Sequence, residues 1–339
     1  MKQKLFLHVG IHRTATTSVQ QFMKANAATL LTMGYFYPFG VQRHNAIVQK
    51  IAGGSVSIDD FCRDLMKRAD SKDAEISSIV ISDEDMSEIR DFAVFADLSR
   101  HFDVKVVLML RRQDLWLESW YLQNVKWQWN RPLAHLTFKE FFELRQSFFW
   151  IDYAERLKHY EAIFGEGSVI AGVFETSEMK DGPIQAFLRL IGIHDQSGLG
   201  PFVHANTSLS PMMTEFMRQL PLDEYPGPKR AVFERACVAA DRSLVTNGSK
   251  LIMSHDQRLI VQQDYKDSNE ITSRKYFGRA TLFADPLPPA NAPLADAQLP
   301  TDVQTLMRQF VVPMVNEISK AWPLPEPAKD RAGEKRRAP

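Results

Sequence analysis

The sequence has few cysteines, no net charge and no long apolar run. Its 339 residues include two cysteines, Cys62 and Cys237, which lie far apart in the chain and without metal-ligand spacing. This spacing argues against a disulfide scaffold and gives no zinc-binding pattern. Lys plus Arg and Asp plus Glu each number 41, so the chain has no bulk charge that would attract nucleic acid or an anionic membrane. No stretch reaches the roughly 18 apolar residues that a membrane-spanning helix needs.

The composition is that of a globular protein. Hydrophobic residues make up 45% of the chain and charged residues 24%, so the chain can bury a sizeable core. The first ten residues lack the long apolar segment and the small-residue cleavage site of a signal peptide. We therefore expect a cytoplasmic protein that has no membrane span and does not bind nucleic acid.

Short apolar runs alternate with helical patterns through the first half of the chain. Buried strands are predicted at residues 5–9, 79–81, 104–110 and 168–174, and helices at 17–33, 58–68, 115–127 and 151–163. Strands that are apolar on both faces and separated by helices favour an α/β fold, with a central parallel sheet flanked by helices in three layers. Ligands of such sheets bind at the carboxyl ends of the strands.

The second half of the chain is less regular. We expect one domain over residues 1–285, followed over 286–322 by a Pro- and Ala-rich linker and a C-terminal helix that packs on the domain. Residues 323–339 contain proline and charge with little to bury, so this tail is predicted to be disordered.

The first candidate anion site lies between the first strand and the first helix. A strand-to-helix turn directs several backbone N–H groups to one point, and the helix dipole adds positive charge there. Residues 10–18 place one cation and four hydroxyls in this turn, and a guanidinium can bind phosphate or sulfate oxygens in a bidentate manner. The candidate binding residues are Arg13, Thr14, Ala15, Thr16, Thr17 and Ser18. The simpler alternative is a threonine-rich helix cap with an exposed arginine.

A second candidate anion site follows the strand at 104–110. Arg111 stands at the strand end and Ser119 lies eight residues later in a predicted helix, so both can approach one phosphate. The alternative is an arginine pair, Arg111 and Arg112, that is satisfied by Asp114 and Glu118 at the surface. Single-stranded nucleic-acid binding by the tryptophans and cations of residues 111–131 is a further alternative, and the zero net charge argues against it.

The two segments, in this order and about 100 residues apart, resemble the nucleotide-binding motifs of sulfotransferases. The nearest group is the bacterial carbohydrate sulfotransferases, since Arg13 stands where other members often have Lys, and Ser82-Asp83-Glu84 also looks like that group. The resemblance implies a P-loop-like sandwich and 3′-phosphoadenosine 5′-phosphosulfate (PAPS) as sulfuryl donor, without a metal. Residues 13–18 would hold the 5′-phosphosulfate, while Arg111 and Ser119 would hold the 3′-phosphate. Ala15 stands where the family usually has Gly, and alanine is expected to keep the backbone at ordinary φ values.

The resemblance also implies catalytic roles. Arg13 would stabilise the charge of the leaving phosphate, and Glu84 would act as the general base for an acceptor hydroxyl. Asp83 is the nearest rival for the base, followed by His44 and His12. His44 and Tyr37 are candidate substrate-binding residues, although a lone histidine is more often structural. The expected acceptor is a carbohydrate or glycolipid.

Three other functions remain open at this stage. A P-loop nucleotide or sugar kinase would share the strand–turn–helix anion site, but the sequence lacks the Gly-Lys-[Ser/Thr] ending of its loop. A catalytically inactive nucleotide-binding homologue would keep the fold without turnover, and Ala15 in place of Gly is its best support. A structural or nucleic-acid-binding protein would show salt-dependent affinity for oligonucleotides.

Overall fold

The fold is built on a parallel sheet of five strands. The computed structural model describes residues 2–201, 209–244, 246 and 248–321. The strands are β1 Lys4–His8, β2 Tyr35–Phe36, β3 Ser78–Ser82, β4 Asp103–Leu110 and β5 Val169–Val173. Their order across the sheet is β2-β3-β1-β4-β5, and all four pairings are parallel. This confirms the predicted α/β class with a central parallel sheet flanked by helices.

Helices connect the strands, and further helices follow the last strand. Before β4 they are α1 Thr16–Ala25, α2 Ala27–Thr32, α3 Asn45–Ala52, α4 Ile58–Asp70 and α5 Leu98–His101. Between β4 and β5 they are α6 Gln113–Trp127, α7 Arg131–Ala134, α8 Phe138–Glu143 and α9 Tyr153–Phe164. After β5 they are α10 Pro183–Leu190, α11 Pro211–Arg218, α12 Gly227–Asp241, α13 His255–Asp264, α14 Lys266–Thr272, α15 Val303–Leu306 and α16 Val312–Ala321. Short 3₁₀ turns include Glu84–Glu88, directly after β3.

The central strands are apolar on both faces because helices cover both faces. β1 lies between β3 and β4, with Leu7 opposite Ile81 and Val106. On one face, Phe6 of β1 joins a buried cluster with side chains of α1 and α10. Helix α9 packs against β4 and β5. Burial on both sides removes the polar alternation of a half-exposed strand, which is why the sequence shows continuous apolar runs.

The structure differs from the sequence prediction at residues 17–33. One helix was expected there, and two are present, α1 and α2, which are separated at Asn26. The Asn26 side chain donates to the Phe22 carbonyl (3.1 Å) and accepts from the Gly200 amide (2.7 Å). Such local side-chain hydrogen bonds compete with the helix. β2, with two residues, is too short to give a sequence signal.

The chain divides into two compact units. One comprises Met1–Trp120, Phe138–Asn206 and Met253–Ala292 and contains all five strands. The other comprises Tyr121–Thr137, Thr207–Ile252 and Pro293–Pro339, and within it α12 packs against α16. The domain over 1–285 and the packing of 286–322 on it stay predictions. The tail at 323–339, predicted to be disordered, lies outside the described residues.

Candidate functional site at the carboxyl edge of the sheet

The turn between β1 and α1 has an unusual backbone. Gly10, Arg13 and Ala15 have φ values of 42°, 70° and 61°, all in the left-handed region, where a non-glycine residue costs about 1–2 kcal/mol. The expectation that Ala15 keeps the backbone at ordinary φ values is therefore wrong. The strain persists because surrounding hydrogen bonds determine the turn.

Side chains from three places hold this turn. The Arg111 guanidinium donates to the Arg13 carbonyl (2.6 Å), and the Trp116 indole donates to the His12 carbonyl (2.8 Å). Thr14 donates through its hydroxyl to the Ile11 carbonyl (2.6 Å). These hydrogen bonds engage the carbonyls of the turn, which leads directly into the N-terminus of α1. The N–H groups of residues 16–18 are the first of this helix, so they have no carbonyl partner within it. This places a helix N-terminus at the carboxyl end of β1, as the sequence predicts.

The two predicted anion segments meet at this turn. Nε of Arg13 donates to Oγ of Ser119 at 2.5 Å, across 106 residues of sequence. Burial lowers the pKa of the Arg13 guanidinium. Burial, together with the charge of Arg13, lowers the pKa of Arg111 to about 10. Each shift reports a cation that is partly withdrawn from water, and together they give a local positive potential suited to an anion.

The carboxylates near the second segment are occupied by other arginines. Asp114 is fully buried and pairs with Arg112 (2.7 Å) and with Arg258 of α13 (2.7 Å). Glu118 also pairs with Arg258 (2.6 Å). The described residues give Arg111 no ion pair; its backbone N–H donates to the Tyr153 hydroxyl (3.1 Å). The alternative in which acidic neighbours satisfy both arginines therefore applies to Arg112 and not to Arg111.

Glu84 lies at the end of β3, on the same edge of the sheet. Its side chain is largely buried, and its Oε2 accepts a hydrogen bond from Nε2 of Gln20 at 2.5 Å. Arg43 forms ion pairs with Asp83 (2.7 Å), Glu84 (3.5 Å) and Asp85. A Cβ added at Gly10 would lie 3.6 Å from Cβ of Glu84, so the predicted base is adjacent to the turn of residues 10–15, the candidate anion turn. Sequence reasoning missed Gln20 and Arg43, because nothing in their local sequence indicates these contacts.

His12 and Asp83, two rivals for the base, both have a raised pKa, but for different reasons. Nε2 of His12 lies 3.2 Å from Asp85 and 3.1 Å from Glu88. Burial alone would lower its pKa, but the two carboxylates outweigh burial and raise the pKa to about 9, so His12 is protonated at neutral pH and unable to accept a proton. Burial raises the pKa of Asp83 to about 6 although Arg43 acts in the opposite direction.

Predicted substrate residues His44 and Tyr37 lie side by side and are buried, with ring centroids 4.6 Å apart. Nδ1 of His44 accepts from the Ser82 amide (3.0 Å), and its Nε2 lies 3.1 Å from the Pro38 carbonyl and donates to it. Burial lowers the pKa of His44. The Tyr37 hydroxyl donates to the Gln42 carbonyl (2.6 Å). These contacts attach the loop that carries Arg43 to the end of β3, and the substrate-binding role stays a prediction.

A large cavity in the sheet-containing unit does not coincide with this site. It has a volume of about 580 Å³, and its walls include Arg90, Phe149, Arg156 and His159. It contains none of the predicted site residues. We place the candidate site at the sheet edge because Arg13, Arg111, the Ser119 hydroxyl and the N-terminus of α1 lie together there.

Within the described ranges, no group of three or more His, Cys, Asp or Glu side chains is arranged to hold a metal ion. Over the same part of the chain, none of the helices combines the length and the apolar character needed to cross a bilayer.

Comparison with known proteins gives likenesses to a relative and to a solved structure. An uncharacterized protein of Archaeoglobus fulgidus is 29% identical over 212 residues, which cover 61% of this chain and 55% of that protein. This chain thus matches little more than half the length of that relative. A sulfotransferase crystal structure from Alicyclobacillus acidocaldarius matches 81% of this chain and 96% of its own, with 13% identity and a TM-score of 0.45. No family model matches the sequence.

Proposed function

We propose that this chain is a sulfotransferase that moves the sulfuryl group of PAPS to a hydroxyl of a carbohydrate or glycolipid. The observation that carries the proposal is the hydrogen bond from Arg13 to Ser119 (2.5 Å) together with that from Arg111 to the Arg13 carbonyl (2.6 Å). These contacts join two motifs that the sequence separates by about 100 residues. A donor with a 5′-phosphosulfate and a 3′-phosphate needs two such anion sites close together.

The proposed reaction is an in-line transfer. The acceptor oxygen forms a bond to sulfur while the bond from sulfur to the 5′-phosphate oxygen breaks, and the acceptor proton passes to the Glu84 carboxylate. Arg13 and the N–H groups at the start of α1 stabilise the negative charge that develops on the leaving phosphate. As in phosphoryl transfer, positioning and electrostatics supply most of the rate enhancement.

Recognition of the 3′-phosphate separates this proposal from a kinase. We assign that contact to Arg111 and Ser119, at the end of β4 and in α6. Arg111 has no ion pair among the described residues, and Asp114 and Glu118 act on its charge only at longer range, so its guanidinium can still pair with a phosphate. A carbohydrate acceptor rests on the sequence resemblance to bacterial carbohydrate sulfotransferases.

Calorimetric titration with adenosine 3′,5′-bisphosphate tests the proposal, with ADP and Mg·ATP as competitors. We expect the bisphosphate to bind more tightly than ADP. Because a charge-assisted hydrogen bond contributes about 1.5–3 kcal/mol, Arg111→Ala should weaken bisphosphate binding roughly 10- to 100-fold and remove the preference over ADP. The matched control is Arg145→Ala, which removes a partly buried arginine that pairs with Asp264 at 2.8 Å.

Other outcomes would favour the other functions. Tighter binding of Mg·ATP than of the bisphosphate would reject the proposal and favour a kinase. Absence of nucleotide binding would reject it altogether. Tight bisphosphate binding with no sulfuryl transfer to any carbohydrate would favour an inactive homologue. In such a protein, Glu84→Ala would have no effect on bisphosphate binding and no turnover to reduce.

A further inference from the structure

Glu84 is held by only one of its two carboxylate oxygens. Nε2 of Gln20 donates to Oε2 of Glu84 at 2.5 Å. Nε of Arg43 donates to Oδ1 of Asp83 at 3.0 Å and lies 3.5 Å from Oε2 of Glu84, where it acts as an ion-pair partner. None of the described residues donates a hydrogen bond to Oε1 of Glu84. This atom is also not one of the fully buried side-chain atoms that lack a hydrogen-bond partner in the described part of the chain. The side chain retains 9% of its exposure. One oxygen is therefore anchored inside the protein, and the other remains open.

The anchors come from two parts of the fold, helix α1 and the loop that carries Arg43. Gln20 is 1% exposed and lies in α1, the helix whose N-terminus forms the anion turn. Arg43 lies in a loop that His44 attaches to β3. The backbone N–H of His44 donates to the Ser82 carbonyl (3.0 Å), and the Ser82 amide donates to Nδ1 of His44 (3.0 Å). The orientation of Glu84 is thus tied to the same helix that would hold the leaving phosphate.

The surrounding charge explains why Glu84 needs anchoring. Asp83 and Asp85 are its neighbours in sequence, and Glu88 lies one turn further on. Four carboxylates in this segment face two cations, His12 and Arg43. Like charges repel one another more strongly where water is excluded, so an unanchored Glu84 would turn toward solvent.

We infer that Gln20 and Arg43 are positioning residues that hold Oε2 of Glu84 and leave Oε1 as the atom that accepts the proton; the inference rests on the proposed function. Gln20 supplies a neutral donor, which fixes direction without neutralising the carboxylate. Arg43 divides its charge among Asp83, Glu84 and Asp85. Oε1 therefore keeps a lone pair that no donor of the described residues occupies, as a general base requires.

Carbon-13 NMR of glutamate labelled at the side-chain carboxyl tests the inference. Glu84→Gln identifies the Glu84 signal by its loss. We expect Gln20→Met, which keeps the volume of the side chain and removes its donor, to shift that signal, and Arg43→Gln to do the same. Arg43→Lys keeps the charge and should return the signal toward its wild-type position, which a purely space-filling role of Arg43 does not predict.

The matched control is Gln219→Met. Gln219 donates to Oε1 of Glu215 at 3.0 Å, so this variant should move the Glu215 signal and leave that of Glu84 in place. An unchanged Glu84 signal in folded Gln20→Met and Arg43→Gln would overturn the inference. If Gln20→Met does not fold, Arg43→Gln decides the result, since the Arg43 side chain is 27% exposed.

Failure of this inference is distinguishable from failure of the proposed function. The NMR signals report the Glu84 contacts whether or not the wild-type protein binds adenosine 3′,5′-bisphosphate. Binding with unmoved signals would reject the positioning roles alone. A Glu84 signal that shifts in the variants, together with a wild-type protein that binds no nucleotide, would leave the anchoring intact and reject its catalytic purpose.

Discussion

His12 should make the stability of this protein depend on pH between about 6.5 and 9. Its imidazolium lies 3.2 Å from Asp85 and 3.1 Å from Glu88, and these carboxylates overcome burial to raise its pKa from 6.5 to about 9. At about 1.4 kcal/mol per pH unit, the difference corresponds to about 3 kcal/mol. Because the pKa in the folded state is the higher one, this stabilisation is fully present below pH 6.5. It is lost as the pH rises through 9.

The assay is urea unfolding of the wild type and of His12→Gln at several pH values from 6 to 10. The difference in unfolding free energy between the two proteins should fall by about 3 kcal/mol across this range, because titrating groups away from His12 contribute equally to both proteins. A difference that stays constant from pH 6 to pH 10 would refute the reasoning.

His8 provides an internal comparison four residues away. It is buried against Ser82, with Nδ1 2.8 Å from the Ser82 hydroxyl, and burial without a carboxylate partner lowers its pKa to about 3. In an NMR titration, His8 should stay neutral down to pH 5, while His12 should stay charged up to pH 8. Titration of His12 near pH 6.5 would show that its carboxylate partners do not act as described.

Three substitutions test the anion turn and the buried ion pairs. Asp114→Ala should lower the unfolding free energy by about 3–5 kcal/mol, because it leaves Arg112 and Arg258 without their shared carboxylate; a loss below about 1 kcal/mol in urea unfolding would contradict this. Gly10→Ala would place a Cβ 2.5 Å from Cγ2 of Thr16 and displace the turn. Calorimetry should then show bisphosphate binding at least about 10-fold weaker, which corresponds to about 1.4 kcal/mol. Unaltered affinity would argue against the turn as the binding site. Ala15→Gly should stabilise the protein by up to about 1 kcal/mol, since relief of the left-handed alanine exceeds the added freedom of the unfolded chain; destabilisation in urea unfolding would show that the turn is not strained.

The sequence by itself determined the parallel sheet and the places of the two candidate anion segments. The four predicted strands are all present, with ends within two residues of those expected. This success has a local cause, because a strand buried on both faces must be apolar throughout. The arginines and hydroxyls that follow β1 and β4 are likewise readable in short stretches of sequence, and parallel strands bring their carboxyl ends to one edge.

Only the tertiary structure decided how the side chains at that edge interact. Gln20 and Arg43 reach Glu84 across 64 and 41 residues of sequence, and no local pattern reports such a contact. His8 and His12 have the same ordinary pKa, and their opposite shifts depend on whether carboxylates from another segment lie beside the ring. Ala15 adopts a left-handed φ because side chains far along the chain hold the carbonyls of its turn. The physical reason is common to all three: propensity and hydrophobic pattern act over a few residues, whereas charge, burial and strain depend on whatever the fold brings within a few ångströms.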